Sequence, residues 1–458
     1  YEIMPSLVGS EMCIRDRSML GKPSSRRKFL TNSAAVTTGG LAGILSSRIA
    51  PAVAQERELK VLVNSHFVPK ADEELNRQLQ EFGKAEGIKT RLDRVAHLQL
   101  PAVLAGEVQG QKGHDVVVMR NADSSLYSKH LVSLDDLHEK IGKAGGGWTN
   151  TDFGIGRDGT YKAIPWFFIS FPIAIRTDLV AEIGENLPDT WEDVLRIGTK
   201  LKKKGHPVGI QLSHGADSNW ILRGLLWSFG AKLVAEDSKT VAVNTKETVE
   251  AFKYIKALYN DTMESEVLAW DDRNNNVCLA SGKCSMILNP VSAYRSAVRD
   301  KALIQGSQRQ VHQVINHIMP PKGPAGRHMA ASHQGVGVWK FSKNVELGKK
   351  FLDFHFQTEN ANKHLVASAG YNQPLLKTHA LHPYYATNSK YYFAPFIGLY
   401  THAIGWPGVP TAASATIYDQ YMLPDAAAAA ATGKATPEEA VQKLEKQMKR
   451  IYKRFNRK

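Results

Sequence analysis

From Glu58 onward, short apolar runs alternate with longer segments whose apolar residues recur at helical spacing. Residues 59–63 and the unbroken run Val116, Val117, Val118 and Met119 have the length and composition of buried strands, and Leu75, Leu79 and Phe82 between them share one helical face. Strand, helix, strand in this rhythm demands a parallel sheet covered by helices, so the fold class is α/β. Thr190 with Asp193 three positions on marks a helix start, and Val194, Ile197 and Leu201 continue its stripe. A second helix carries Val249, Phe252, Ile255 and Tyr259. Thr436, Pro437, Glu438 and Glu439 form a capping box with proline at the first helical position, ahead of Val441, Leu444, Met448 and Ile451. The alanines of 426–431 read as a short helix stopped by Gly433. Residues 161–175 are almost continuously apolar and aromatic but contain Pro165 and Pro172, which excludes a central helix and suits a strand crossing between lobes.

Ahead of this region stands Ser25-Arg26-Arg27-Lys28-Phe29-Leu30, followed by a mildly apolar run over 34–45 and by Ala52-Val53-Ala54. A twin-arginine pair, a short apolar stretch and a small-residue exit read as a Tat export signal over 19–54, which predicts a mature protein from about Gln55 in the periplasm. No cysteine stands at the exit, and the run is too short and glycine-rich for a lasting anchor. Residues 1–18 look foreign to that signal, resembling translated adaptor sequence, and Met19 is the expected start.

The chain carries 58 Lys and Arg against 44 Asp and Glu. Without 1–54, which hold seven basic and three acidic side chains, an excess of +10 remains over 404 residues. That charge is spread rather than gathered into an aromatic-studded patch, so a nucleic-acid partner is not expected. A chain of this length outgrows a single core, so two lobes are expected. The mature part has two cysteines, Cys278 and Cys284, whose pairing the spacing leaves open.

Several segments, in order, resemble the family 1 extracellular solute-binding proteins of ATP-binding-cassette (ABC) importers, the group that includes maltose-binding protein. They include Tyr161-Lys162-Ala163-Ile164-Pro165-Trp166, Leu187-Pro188-Asp189-Thr190-Trp191-Glu192-Asp193-Val194, Leu279-Ala280-Ser281-Gly282-Lys283-Cys284-Ser285-Met286, Met319-Pro320-Pro321-Lys322-Gly323-Pro324, Gly335-Val336-Gly337-Val338 and Gly370-Tyr371-Asn372-Gln373-Pro374. The aromatic-rich section 384–406 has no place on that pattern. The resemblance implies a two-lobe periplasmic-binding-protein fold of type II, with discontinuous lobes joined by three hinge crossings. Lobe 1 would take 56–166 and 286–342, and lobe 2 would take 167–285 and 343–458. The implied function is capture of a sugar, oligosaccharide or polyol in the cleft and its delivery to an inner-membrane permease, by a monomer without cofactor or catalysis.

Sugars offer apolar C–H faces edged by hydroxyls, so a site for them needs aromatic plates and planar polar groups. In the order the resemblance implies, Asn64 and His66 follow the first strand and Arg120, Asn121 and Asp123 follow the Val116 strand, at cleft-facing strand ends. Trp166 and Phe167 belong to the first crossing, and Asn289 with Tyr294 to the second. Trp220, Trp270, Asp271, Tyr371 and Asn372 are further candidates from loops of the second lobe. Trp191 and Trp227 read as core. His312, His317, His328 and His333 lack metal-ligand spacing, so no metal is expected. There is no G-x-S-x-G elbow, P-loop or dinucleotide turn. The alternatives are a binding protein for an anionic solute, which Arg120 would suit, or for a nitrogenous one, although a polyamine would want more carboxylates than can be placed in the cleft, and a secreted carbohydrate-active enzyme.

Overall fold

The computed structural model describes residues 57–456 except Leu98. The expected export signal and the stretch before it lie outside the described residues. Thirteen strands are present among those described: β1 (Glu58–Asn64), β2 (Lys89–Val95), β3 (Val116–Arg120), β4 (Ile164–Ile169), β5 (Ile173–Arg176), β6 (Met286–Leu288), β7 (Ile315–Ile318), β8 (Lys322–Gly323), β9 (Gly326–Arg327), β10 (Met329–Ala330), β11 (Ser332–Val338), β12 (Gln373–Pro374) and β13 (Thr401–His402). Six form one sheet in the order β12-β4-β11-β3-β1-β2, and three form another in the order β6-β5-β7.

The first sheet begins as its sequence dictates. β1 pairs in parallel with β2 and β3, and β3 is wholly buried because helices cover both faces. Leu75, Leu79 and Phe82 of helix Pro69–Glu86 pack into its core. β11 then runs antiparallel between β3 and β4, with a register shift at Gln334 and Gly335.

The chain passes to the second sheet through residues 170–172, returns through 319–331, and leaves the first sheet again after β12. Helices Ala412–Asp419, Met422–Ala431 and Pro437–Phe455 close the second half, packing on one another and on helix Lys246–Thr262. Both capping boxes form: Thr190 accepts from the Asp193 amide, and Thr436 from the Glu439 amide.

The partition of the halves differs from the expected one at two places. β6 and β7, expected in lobe 1, pair on either side of β5 in the second sheet, with Ile173 opposite both Leu288 and Ile318. Helices Val345–His355 and Thr358–Ala367, expected in lobe 2, lie on helix Pro69–Glu86 of the first half. There Phe351 meets Phe82 with ring centroids 5.5 Å apart, and the Gln78 amide donates to the Asn360 carbonyl at 2.9 Å. A strand of only three or four residues carries no mark of which sheet it joins.

The section 384–406 spreads over the second sheet near the crossings. Phe393 is fully buried beside His317, and β13 pairs with β10 in the returning crossing. Cys278 and Cys284 are bridged, their Cα atoms 5.2 Å apart, which ties the end of helix Asn274–Ala280 to the approach of β6. No helix among the described residues is long and apolar enough to cross a membrane.

Candidate functional site

A cavity of about 290 Å³ opens between the two sheets. Its first wall grows from the ends of β1, β4 and β11. Asn64 closes β1, and Ser65, His66 and Phe67 lead into the next helix. The His66 ring has a partner at each nitrogen: Nδ1 lies 2.9 Å from the Val68 amide and 3.0 Å from its carbonyl, and Nε2 lies 2.9 Å from Asn372 Oδ1. Burial lowers its pKa, leaving a neutral imidazole. Tyr371 stacks on Phe67 at 5.3 Å and presents an aromatic face. Strand alternation sends Phe167 and Ile169 of β4, with Ser332 and Gln334 of β11, to the cavity side, while Phe168 and His333 pack together away from it.

The second wall is an amide and carboxylate network. Asn275 Nδ2 donates to Asp217 Oδ2 at 2.7 Å and to Asn289 Oδ1 at 3.2 Å. Asn289 Nδ2 donates in turn to Ser292 Oγ at 2.9 Å and to Asn276 Oδ1. Asp272 Oδ1 accepts from the Asp217 amide at 3.1 Å, closing the start of helix Ala216–Ser228. One turn along that helix, Trp220 lies between Phe171 at 6.3 Å and Tyr418 at 4.7 Å. Burial first, then the Asp272 charge, push the Asp217 carboxyl well above the usual range.

Of the residues expected at a ligand, Asn64, His66, Phe167, Trp220, Asn289 and Tyr371 line this cavity. The others stand outside its lining, each with another partner. Asn372 sits behind His66 and is held by the Tyr385 hydroxyl, which donates to its carbonyl at 2.8 Å. Arg120 lies one layer back, with Nη1 3.2 Å from His97 Nε2 and Nε 3.6 Å from Asp123. Burial and that guanidinium pull the pKa of His97 down to about 4. Asp123 also accepts from the Arg120 amide at 2.9 Å, so both ends of the pair are committed. Asn121, at φ +46°, latches β3 to β11 by exchanging hydrogen bonds with the His333 backbone.

Trp166 points to the opposite side of β4 from Phe167 and stacks on His364 at 4.9 Å, against the helices of 345–367. Trp270 offers its carbonyl to Ser213 Oγ at 2.6 Å and packs near Gly209. Asp271 is exposed and closes a turn by accepting from the Arg273 amide. Tyr294 faces His317, edge to face at 5.9 Å, with the Lys390 ammonium over its ring. Asp272, next to the candidate Asp271, lines the cavity, and so do Asp217, Asn276, Ser292, Gln334 and Tyr418, which the sequence reading does not name. Asp217 had a signal, since it stands three residues before Trp220, and both lie on helix Ala216–Ser228 rather than in the expected loop. Among the described residues no three His, Cys, Asp or Glu are grouped as a metal site would require.

The family profile of bacterial extracellular solute-binding proteins matches residues 69–362. The chain belongs to this family. A probable ABC transporter-binding protein of Deinococcus radiodurans is 25% identical over 314 residues, which are 64% of this chain and 69% of that protein. Among solved structures, maltose-bound T. maritima MalE3 superimposes with a TM-score of 0.70 at 18% identity, covering 86% of this chain and 99% of its own. A sugar transporter from Arthrobacter chlorophenolicus with bound laminaribiose gives 0.72 at 15%, over 86% and 99%. A solute-binding protein from Agrobacterium radiobacter in complex with ribitol gives 0.68 at 17%, over 86% and 98%. At these identities the structures establish the shared two-lobe α/β fold, and the cavity of this solute-binding protein lies between its two sheets.

Proposed function

We propose that this solute-binding protein is the substrate-binding component of an ABC importer, which captures a sugar, oligosaccharide or polyol in the cleft and delivers it to a membrane permease. The observation that carries this reading is the pairing of an aromatic face on each wall with a planar polar network between them. Tyr371 and Phe167 face the cavity from one side and Trp220 and Phe171 from the other, while Asp217, Asn276 and Asn289 offer hydroxyl-matching groups. A volume near the lower end of the roughly 300–1,000 Å³ of small-molecule sites suits a solute of one or two sugar rings.

The lobes we propose follow the sheets: residues 58–169 with 332–374 as one, and 173–318 with 412–455 as the other. Solute that binds the closed arrangement better shifts the population toward it, and the closed surface is what a permease reads. We further propose export by the twin-arginine route to the periplasm and action as a monomer, without catalysis. Thermal shift of the form starting at Gln55, against sugars, polyols, amino acids, polyamines and organic phosphates, tests the class, because only solutes bound by the native state raise the melting temperature. A rise with one carbohydrate group is expected. A rise with amino acids or phosphates alone would remove the carbohydrate reading.

A further inference from the structure

The second wall contains more than a neutral sugar needs. Asp217 is only 8% exposed, and its Oδ1 meets no donor among the described residues. The one cation in the described lining outside the neutral histidines, Arg273, is drawn off by Asp271 at 3.0 Å. The start of helix Ala216–Ser228, where free backbone amides would otherwise attract an anion, is already filled by Asp272. Arg120, the group on which an anionic solute would depend, is tied to His97 and Asp123. Facing these carboxylates from the first half is Gln334, 1% exposed, whose side-chain oxygen has no hydrogen-bond partner and whose strand position sends it to the cavity side. An unpaired buried acceptor calls for a donor.

Resting on the carbohydrate reading above, we propose that the solute is an amine-bearing sugar or polyol whose ammonium is held by Asp217, with Asp272 beside it and Gln334 accepting a further N–H or O–H. Asp217 is buried beside the negative charge of the exposed Asp272, and both its burial and that charge hold it toward its protonated form. A bound ammonium relieves both penalties, whereas a neutral ring leaves them in place. The aromatic plates keep their role, stacking on the C–H faces of the same ring.

Calorimetric titration of the unmodified protein at pH 7 with matched sets tests the assignment: glucosamine, glucose and N-acetylglucosamine, then the corresponding β-1,4-linked disaccharides. The amino member of a set should bind at least tenfold more tightly than its neutral and acetylated counterparts. Asp217→Asn should reduce that ratio to within about threefold by weakening the amino member. The wild-type ratio decides even if the variant fails to fold. Equal or tighter binding of the neutral member overturns this proposal and leaves the carbohydrate reading standing. Binding of no sugar in either set, while amino acids or phosphates bind, overturns both.

Discussion

The two walls of the cleft do different work. In the first, His66 is satisfied at both nitrogens and Tyr371 rests on Phe67, while the buried Gln334 oxygen is left open. The second keeps carboxylate oxygen in reserve within a network of asparagines. Satisfied groups supply shape, and open ones supply chemical selection, because unsatisfied buried groups penalise a wrong solute more than apolar contacts reward a right one.

The sharpest way to break the comparison is Trp220→Ala. This indole is both a plate and part of the second core, so the substitution should cost about 3–5 kcal/mol of stability in urea unfolding as well as affinity. Tyr371→Ala separates the two effects. It should weaken sugar binding about 10- to 100-fold by calorimetry, as removal of a central aromatic anchor does, with a smaller change in melting temperature.

Acid tests the first half of the molecule. His97 and His355 are held neutral by burial, each with its pKa lowered to about 4. Above pH 6.5 neither folded nor unfolded chain protonates them, so they exert no pH dependence there. Between pH 6.5 and about 4 the unfolded chain takes up protons that the native state refuses, and stability falls by about 1.4 kcal/mol per pH unit per histidine. His355→Phe should make the decline of the urea midpoint over that window shallower, and an unchanged slope would show that His355 does not stay neutral.

Trp166→Ala should lower the melting temperature by several degrees yet leave the dissociation constant within about twofold, since its ring packs on His364 outside the cavity lining. The smallest effect on stability belongs to Asp271→Ala, which removes an exposed ion pair with Arg273 and a turn bond to its amide. A change of less than about 1 kcal/mol is expected in unfolding experiments.

Much of the frame could be read from local signals. Thr190 and Thr436 announce their helices by capping chemistry, and the Val116 run announces a strand covered on both faces, since each signal lies within a few residues of its consequence. Sheet membership is decided between segments more than a hundred residues apart, which is why β6 and β7 were misassigned. The site divides the same way. Asn64 and His66 follow from lying at a strand end, whereas Trp166 and Phe167 are neighbours in sequence and only the pleat decides which one faces the cavity. Arg120 resembled a ligand-binding cation until Asp123, three residues on, and His97, 23 residues back, were found against it. The section 384–406 had no recognisable pattern because its role is remote: Tyr385 holds Asn372, which holds His66.

The Cys278–Cys284 bridge bears on how this protein is handled at the bench. Helix Asn274–Ala280 is only seven residues long, too short to persist unaided, and it carries Asn276 to the cleft and Asn275 behind it while its far end is stapled toward β6. Thiol reductants added routinely during purification would release that staple and slacken the polar wall while the rest of the chain stays folded. A preparation kept in dithiothreitol could therefore look native by every global measure and still report a solute affinity that is not its own.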